Sequence, residues 1–180
     1  MNRRLFALAL ALVVGMIVGL VAGMPLRASR RSGNVSQDLD ELVRAIDAHQ
    51  ISRVEILHVR DDILTRTTIT PEALRRMCIT RMVLDRPWES STGSLSSAIR
   101  DLRTSTRRDA GDLRWAALFL DSKGKEVSAV FLGRDGSAGE FEGAPLDSHG
   151  NLLKWMKSSI EFAFDLKRST TRNNGAGADR

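Results

Sequence analysis

Few side chains in this sequence have the types and spacing that catalysis or metal binding requires. The three histidines are His49, His58 and His149, and the single cysteine is Cys78. No two of these residues have the spacing of zinc ligands, so a metal site would require convergence in the folded chain. Cys78 has arginines nearby but no base, which favours a small buried side chain over a nucleophile. The sequence therefore predicts no metal site, no cofactor and no catalytic residue.

One aspartate follows an apolar strand, as the nucleophile of a phosphatase-type motif does. Asp121 comes directly after the apolar residues 118–120. Sites of that type usually need a second acid two residues later, where this chain has Lys123. Gly124 then favours a tight turn. We therefore predict that Asp121 begins the turn of a hairpin.

A glycine-rich segment over residues 133–139 could present backbone N–H groups to an anion. It lacks the Gly-Lys-Ser/Thr ending of a phosphate-binding loop and the acidic spacing of a calcium loop. The sequence also contains no Gly-x-Ser-x-Gly elbow of a serine hydrolase. A flexible connection is the favoured interpretation of this segment.

Three arginines recur at helical spacing and could form a binding surface. We predict that Arg100, Arg103 and Arg107 lie on one face of the helix that begins near Ser94. Such a face could contact lipid headgroups or an acidic partner protein. The alternative is a solvated surface, because neighbouring aspartates partly neutralise the positive charge.

The element that fixes the location of the protein is its N-terminal segment, residues 1–31. Residues 5–26 form an uncharged apolar run flanked by arginines on both sides. As a helix it would be about 33 Å long, enough to cross a hydrocarbon core of about 30 Å. We therefore predict a transmembrane helix that acts as an uncleaved signal-anchor. The alternative is a signal peptide cleaved after Gly23, for which the run is long and the cleavage site poor.

Small residues form a ridge along this predicted membrane helix. On a helix, Ala11, Gly15, Gly19 and Gly23 lie on one face, since they recur every fourth position. Such a ridge allows close packing against another membrane helix or against a second copy of the chain. The alternative is that glycine and alanine are simply common in membrane helices.

The charge distribution argues against nucleic-acid binding. The chain has 27 basic and 22 acidic residues, but five arginines and no acidic residue lie within residues 1–31. The remaining 22 basic and 22 acidic residues cancel, so the rest of the chain lacks the positive excess that phosphate-backbone binding requires. The flanks of the apolar run are nearly balanced in charge. We predict a single-pass protein whose domain lies on the exported side, periplasmic or extracellular.

Residues 35–167 show the alternating helix and strand patterns of one α+β domain, and residues 168–180 have the composition of a disordered tail. We predict a mostly antiparallel sheet with helices packed on it. The predicted helices begin at residues that can cap a first turn, namely Ser36, Thr70, Ser94, and Asp147 or Ser148. The predicted strands cover residues 53–60, 63–69, 78–84, 113–120 and 127–132, with an edge strand beginning at Phe141.

Four of these strands are predicted to pair as two hairpins. Residues 53–60 and 63–69 are predicted to form one hairpin, and residues 113–120 and 127–132 a second. The second hairpin has apolar residues on both faces, which is typical of strands in the middle of a sheet.

The sequence favours a non-catalytic function. We expect a membrane-anchored α+β domain that binds a partner protein or serves as an accessory component of an envelope assembly. The alternative is a small exported hydrolase or transferase whose site forms only in the tertiary structure. If the N-terminal segment is cleaved, the domain is instead a secreted one.

Overall fold

The chain divides into two units, Met1–Gly33 and Asn34–Arg180. A computed structural model describes residues 34–86 and 94–175, with side chains as far as Phe164. The predicted membrane segment, its glycine ridge and residues 87–93 lie outside the described residues. Among the helices that the structure does describe, none is long and apolar enough to cross a membrane.

The second unit contains four helices and seven strands within its described residues. In chain order they are α1 (Val35–Asp47), β1 (Arg53–His58), α2 (Pro71–Met77), β2 (Thr80–Asp85), α3 (Leu95–Arg100), β3 (Arg103–Thr104), β4 (Leu113–Leu120), β5 (Glu126–Gly133), β6 (Ala138–Phe141), β7 (Ala144–Asp147) and α4 (Asn151–Gly175).

One seven-stranded sheet organises these elements, in the order β2-β1-β4-β5-β6-β7-β3. The pairings between neighbouring strands are antiparallel. The predicted α+β class with a mostly antiparallel sheet is therefore confirmed. β4 is buried along almost its whole length, as its two apolar faces predict.

Apolar side chains cover the sheet on both faces. The larger core packs α1, α3 and α4 against one face, with Ile56, Phe119 and Val130 at its centre. The smaller core packs α2 and the loop before it against the other face, around Leu74 and Phe131. The alternation of a strand sends successive side chains to opposite faces, so β1 and β4 contribute to both cores.

Of the four predicted helix caps, two are confirmed and two are wrong. The hydroxyls of Thr70 and Ser94 accept hydrogen bonds from the first turns of α2 and α3, at 3.3 and 3.4 Å. Ser36 lies inside α1, which begins one residue earlier. The N-cap residue is Asn34, whose side chain makes no capping hydrogen bond, and its backbone carbonyl accepts from the amides of Gln37 and Asp38.

The predicted hairpin between residues 53–60 and 63–69 is wrong. β1 pairs on one side with β2 and on the other with β4, so neither of its edges is open to a third strand. Residues 63–69 form a loop although they are rich in β-branched residues. Their strand propensity is overridden because the available pairing positions are taken.

The glycine-rich segment is more ordered than a flexible connection. It contains a turn and the first two residues of β6, which lies between β5 and β7. Phe141 ends β6 and does not begin an edge strand, and the following strand β7 has no counterpart in the sequence prediction. Close packing requires a glycine at position 139, because a Cβ there would collide with the carbonyl oxygen of Phe131.

The predicted cap of the last helix at Asp147 or Ser148 is wrong, because Asp147 ends β7 and the helix begins only at Asn151. The hydroxyl of Ser148 accepts from the amide of Gly150 at 2.9 Å, before the first turn of the helix. The helix buries Leu152, Leu153, Trp155 and Met156 against the larger core. It continues to Gly175, into the segment whose composition is typical of disorder.

Candidate binding groove

A cleft of about 300 Å³ lies between α1, α3 and β3. Its floor is formed by apolar side chains that also belong to the larger core, namely Leu39, Val43, Ile99 and Leu102. Its rim is polar and consists of Ser36, Asp40, Arg100, Arg103 and Thr104. An apolar floor with a polar rim is the arrangement of a binding site that receives an apolar side chain.

The helical spacing of the sequence builds the two walls of this groove. Leu39 and Val43 are four residues apart, so they lie on the same face of α1. Ser94 caps α3, and that short helix turns Ile99 inward while Arg100 stays exposed. The groove follows because α1 and α3 pack side by side on the sheet and leave a gap where α3 ends.

The prediction that Arg100, Arg103 and Arg107 share one helical face is wrong. α3 ends at Arg100, and Arg103 already belongs to β3, which pairs with β7. The chain leaves the helix there because Leu102 is buried and the next residues join the sheet. Arg107 lies beyond β3, and its Nε is 3.3 Å from Oδ1 of Asp147. The structure therefore brings two of the three arginines to the groove.

The two arginines on the rim are held by different partners. Nη2 of Arg100 lies 2.9 Å from Oδ2 of Asp47, whose other carboxylate oxygen accepts from the hydroxyl of Ser96. Nη1 of Arg103 donates to the backbone carbonyls of Arg100 and Leu102 at the end of α3. Both guanidinium groups consequently have polar partners within the chain itself.

Asp121 occupies a hairpin turn, as predicted. Its Oδ1 accepts from the backbone amides of Lys123 and Lys125, at 2.8 and 2.9 Å. The hydrogen bond from Lys125 is the largest of the influences that lower the pKa of Asp121, and that from Lys123 adds to it. Both bonds hold the turn between β4 and β5, which is a structural role.

The histidines and the cysteine do not assemble into a reactive site in the described part of the chain. The ring of His58 stacks on Trp115 with centroids 3.8 Å apart. Burial lowers the pKa of His58, and the positive charge of Lys157 lowers it further. Sγ of Cys78 donates to the carbonyl of Arg75 at 3.6 Å. No three histidine, cysteine or acidic side chains lie close enough to hold a metal ion there.

The exposed side of β2 is a second surface, which the sequence interpretation missed. Met77, Ile79 and Val83 are large apolar residues that remain exposed at or near this strand, with Ile79 60% exposed. The alternation of polar and apolar side chains over residues 80–85 indicates a strand, but it does not indicate that the strand lies at the end of the sheet. Only the pairing of β2 with β1 reveals that position.

Comparisons of this chain with protein-family models, with curated proteins and with solved structures give no match. The function of this chain must therefore be inferred from its own sequence and geometry.

Proposed function

We propose that this protein is a membrane-anchored, non-catalytic domain that binds a partner protein on the exported side of the membrane, as a component of an envelope assembly. The observation that carries the proposal is the groove between α1 and α3, with its apolar floor and the two guanidinium groups on its rim. The uncharged run of residues 5–26 supports the anchor, because its length suits a bilayer.

The chemistry of the groove limits the kind of partner segment that it suits. Its volume of about 300 Å³ is at the lower end of ligand sites, enough for one or two apolar side chains. Arg103 favours an acidic residue beside it, whereas Asp47 already pairs with Arg100 and Asp40 opposes a second acidic residue. The partner segment is therefore apolar with one flanking carboxylate, and extended or helical.

Site-specific photocrosslinking in the full chain tests the proposed groove. A photoreactive amino acid would replace Ser36 or Thr104, which are exposed on the rim. The matched control is Lys123, which is exposed in the turn between β4 and β5. We expect the same protein adduct from both rim positions in intact cells and none from the control. Equal labelling at the three positions, or none at any, would refute the groove.

The predicted topology has a separate test in spheroplasts. A C-terminally tagged chain is blotted before and after external protease. We expect a full-length band that protease destroys, which places the domain outside the membrane. A full-length band that survives would place the domain inside, and a band shortened by about 23 residues would indicate cleavage after Gly23 instead of an anchor.

A further inference from the structure

The strand β2 forms one end of the sheet and, within the described residues, pairs along one side only. It has six residues, whereas β3 at the other end has two. A long edge strand presents unpaired backbone N–H and C=O groups to any strand of suitable sequence. Proteins commonly protect such edges with lysine, proline or a bulge. β2 contains no lysine and no proline, its register with β1 is continuous, and its charged residues are Arg81 and Asp85.

One face of β2 carries a charge pattern that is complementary to itself. Arg81, Val83 and Asp85 alternate with Met82 and Leu84, which pack against the larger core. Val83 is 47% exposed and lies midway between the positive and the negative residue. Both charges are already oriented by β1, because Arg81 pairs with Glu55, and Asp85 is 2.8 Å from Arg53.

We propose that two copies of this chain associate by antiparallel pairing of β2 with β2, about a two-fold axis at Val83. This register places Arg81 of each copy directly opposite Asp85 of the other, and Val83 opposite itself. Opposite charges at directly opposed positions stabilise an antiparallel pair. The two sheets would then form one continuous sheet, and both exposed edges would be covered in a symmetric contact.

The charges select this register over its neighbours. A shift by two residues in one direction places Arg81 opposite Val83, and in the other direction it places Asp85 opposite Val83. Either shift leaves both charges without an opposite partner. In the symmetric register, each half of the interface contains a chain of alternating charges, from Glu55 through Arg81 to Asp85 and Arg53 of the second copy. The same charges disfavour a strand of unrelated sequence, which gives the edge its specificity for its own copy.

Cysteine crosslinking tests the position of the two-fold axis. The full chain is purified in detergent with Cys78→Ala, and Val83→Cys is compared with Val127→Cys. These two valines have the same exposed fraction, 47%, and Val127 lies in β5, away from the edge. Residues opposed in an antiparallel pair have Cα atoms about 4.5–5.5 Å apart, within the range of a disulfide. We expect mild oxidation to yield a covalent dimer of the Val83→Cys variant and none of the Val127→Cys variant.

A charge exchange tests the electrostatic complementarity without removing the pair inside each chain. Combining Arg53→Asp with Asp85→Arg keeps that pair but brings like charges together across the proposed interface. The matched control exchanges Arg60 and Asp62, an exposed pair 2.6 Å apart outside β2. We expect dimerisation in dilution experiments to weaken about tenfold or more in the first variant and to be unchanged in the control.

Two outcomes would overturn the proposal. One is a Val83→Cys variant that yields no more covalent dimer than the Val127→Cys variant. The other is a dimer that the charge exchange at β2 does not weaken. A dimer that forms without a crosslink in the Val83→Cys variant would show that copies associate elsewhere, for example through the small-residue ridge of the N-terminal segment.

Discussion

At the scale of single residues, Arg114 carries the main buried charge of the described domain. Its side chain is 2% exposed. It donates to the carboxylate of Asp112 at 2.8 Å. It also donates to the backbone carbonyl of Arg60 at 3.1 Å and to that of Ile63 at 2.8 Å. Buried charges persist in proteins when they are paired and fully hydrogen-bonded. Arg114 therefore fixes the loop before α2 against β4. That loop contains residues 63–69, for which the sequence predicts a strand.

Asp112 should make the stability of the domain dependent on pH. Burial raises the pKa of Asp112, but hydrogen bonds from the amide of Ile69 and from Arg114 outweigh that effect and lower the pKa overall. Folding therefore favours the charged carboxylate. The resulting stabilisation is present above the unfolded pKa of about 4 and is lost as the pH falls through the folded value.

The variant Asp112→Asn tests this linkage, since its amide does not titrate in this range. We expect the variant to be less stable than the native chain at pH 7. The difference in the free energy of unfolding should shrink as the pH falls below about 4. Urea unfolding at several pH values measures it. A difference that stays constant with pH would contradict the role of the carboxylate.

At the scale of elements, the first turn of α2 depends on one hydroxyl. Thr70 accepts from the amide of Ala73, and Pro71 occupies the first helical position. We expect Thr70→Ala to destabilise the domain by about 1 kcal/mol, because an amide of the first turn loses its acceptor. Thermal or urea unfolding gives the value. Thr68→Ala, at an exposed loop position, is the control and should be neutral. Equal effects of both substitutions would remove the cap as the cause.

β6 depends on the absence of a side chain at Gly139. A Cβ there would collide with the carbonyl oxygen of Phe131 and lie 2.9 Å from Cδ2 of Leu132. We expect Gly139→Ala to cost about 1–3 kcal/mol, because the neighbouring backbone of β5 cannot move aside freely. Gly133→Ala is the matched control, since its Cβ would lie 3.5 Å from the nearest atom. Chemical denaturation of both variants compares them, and a harmless Gly139→Ala would contradict the close contact.

The sequence predicted the elements whose signals are local and missed those that depend on distant parts of the chain. The caps at Thr70 and Ser94 and the turn at Asp121 follow from a few adjacent residues. The predicted pairing of residues 63–69 failed because both edges of β1 are occupied by other strands. The prediction that Arg103 lies on a helix failed because α3 ends at Arg100 and the chain then enters β3.

The groove could not be read from the sequence for a similar reason. Its two walls, α1 and α3, are separated by about fifty residues, and their relative placement is set by the sheet beneath them. The arginines gave a partial signal, since Arg100 and Arg103 lie on its rim. The sequence identified these two arginines as candidate binding residues, but it did not predict the groove whose rim they form.

At the scale of the whole molecule, the sheet should be most stable at its centre. β4 is buried on both faces and pairs with β1 and β5, whereas β3 has two exposed residues at one end. We expect backbone amide exchange to be slowest in β4 and β5 and fastest in β3. Hydrogen-exchange mass spectrometry of the full chain resolves this order. Protection that is uniform across the sheet would show that the domain opens only as one unit.

The position of β1 has a consequence for the synthesis of the protein. Arg53 pairs with Leu120, which the ribosome adds 67 residues later. At about 5–20 residues per second, roughly 3–13 s pass between them. During that interval the nascent chain carries β1 with at least one side unpaired, and its apolar side chains still lack their neighbours on β4. A chaperone that holds the growing chain through this interval would protect that strand from pairing with other chains.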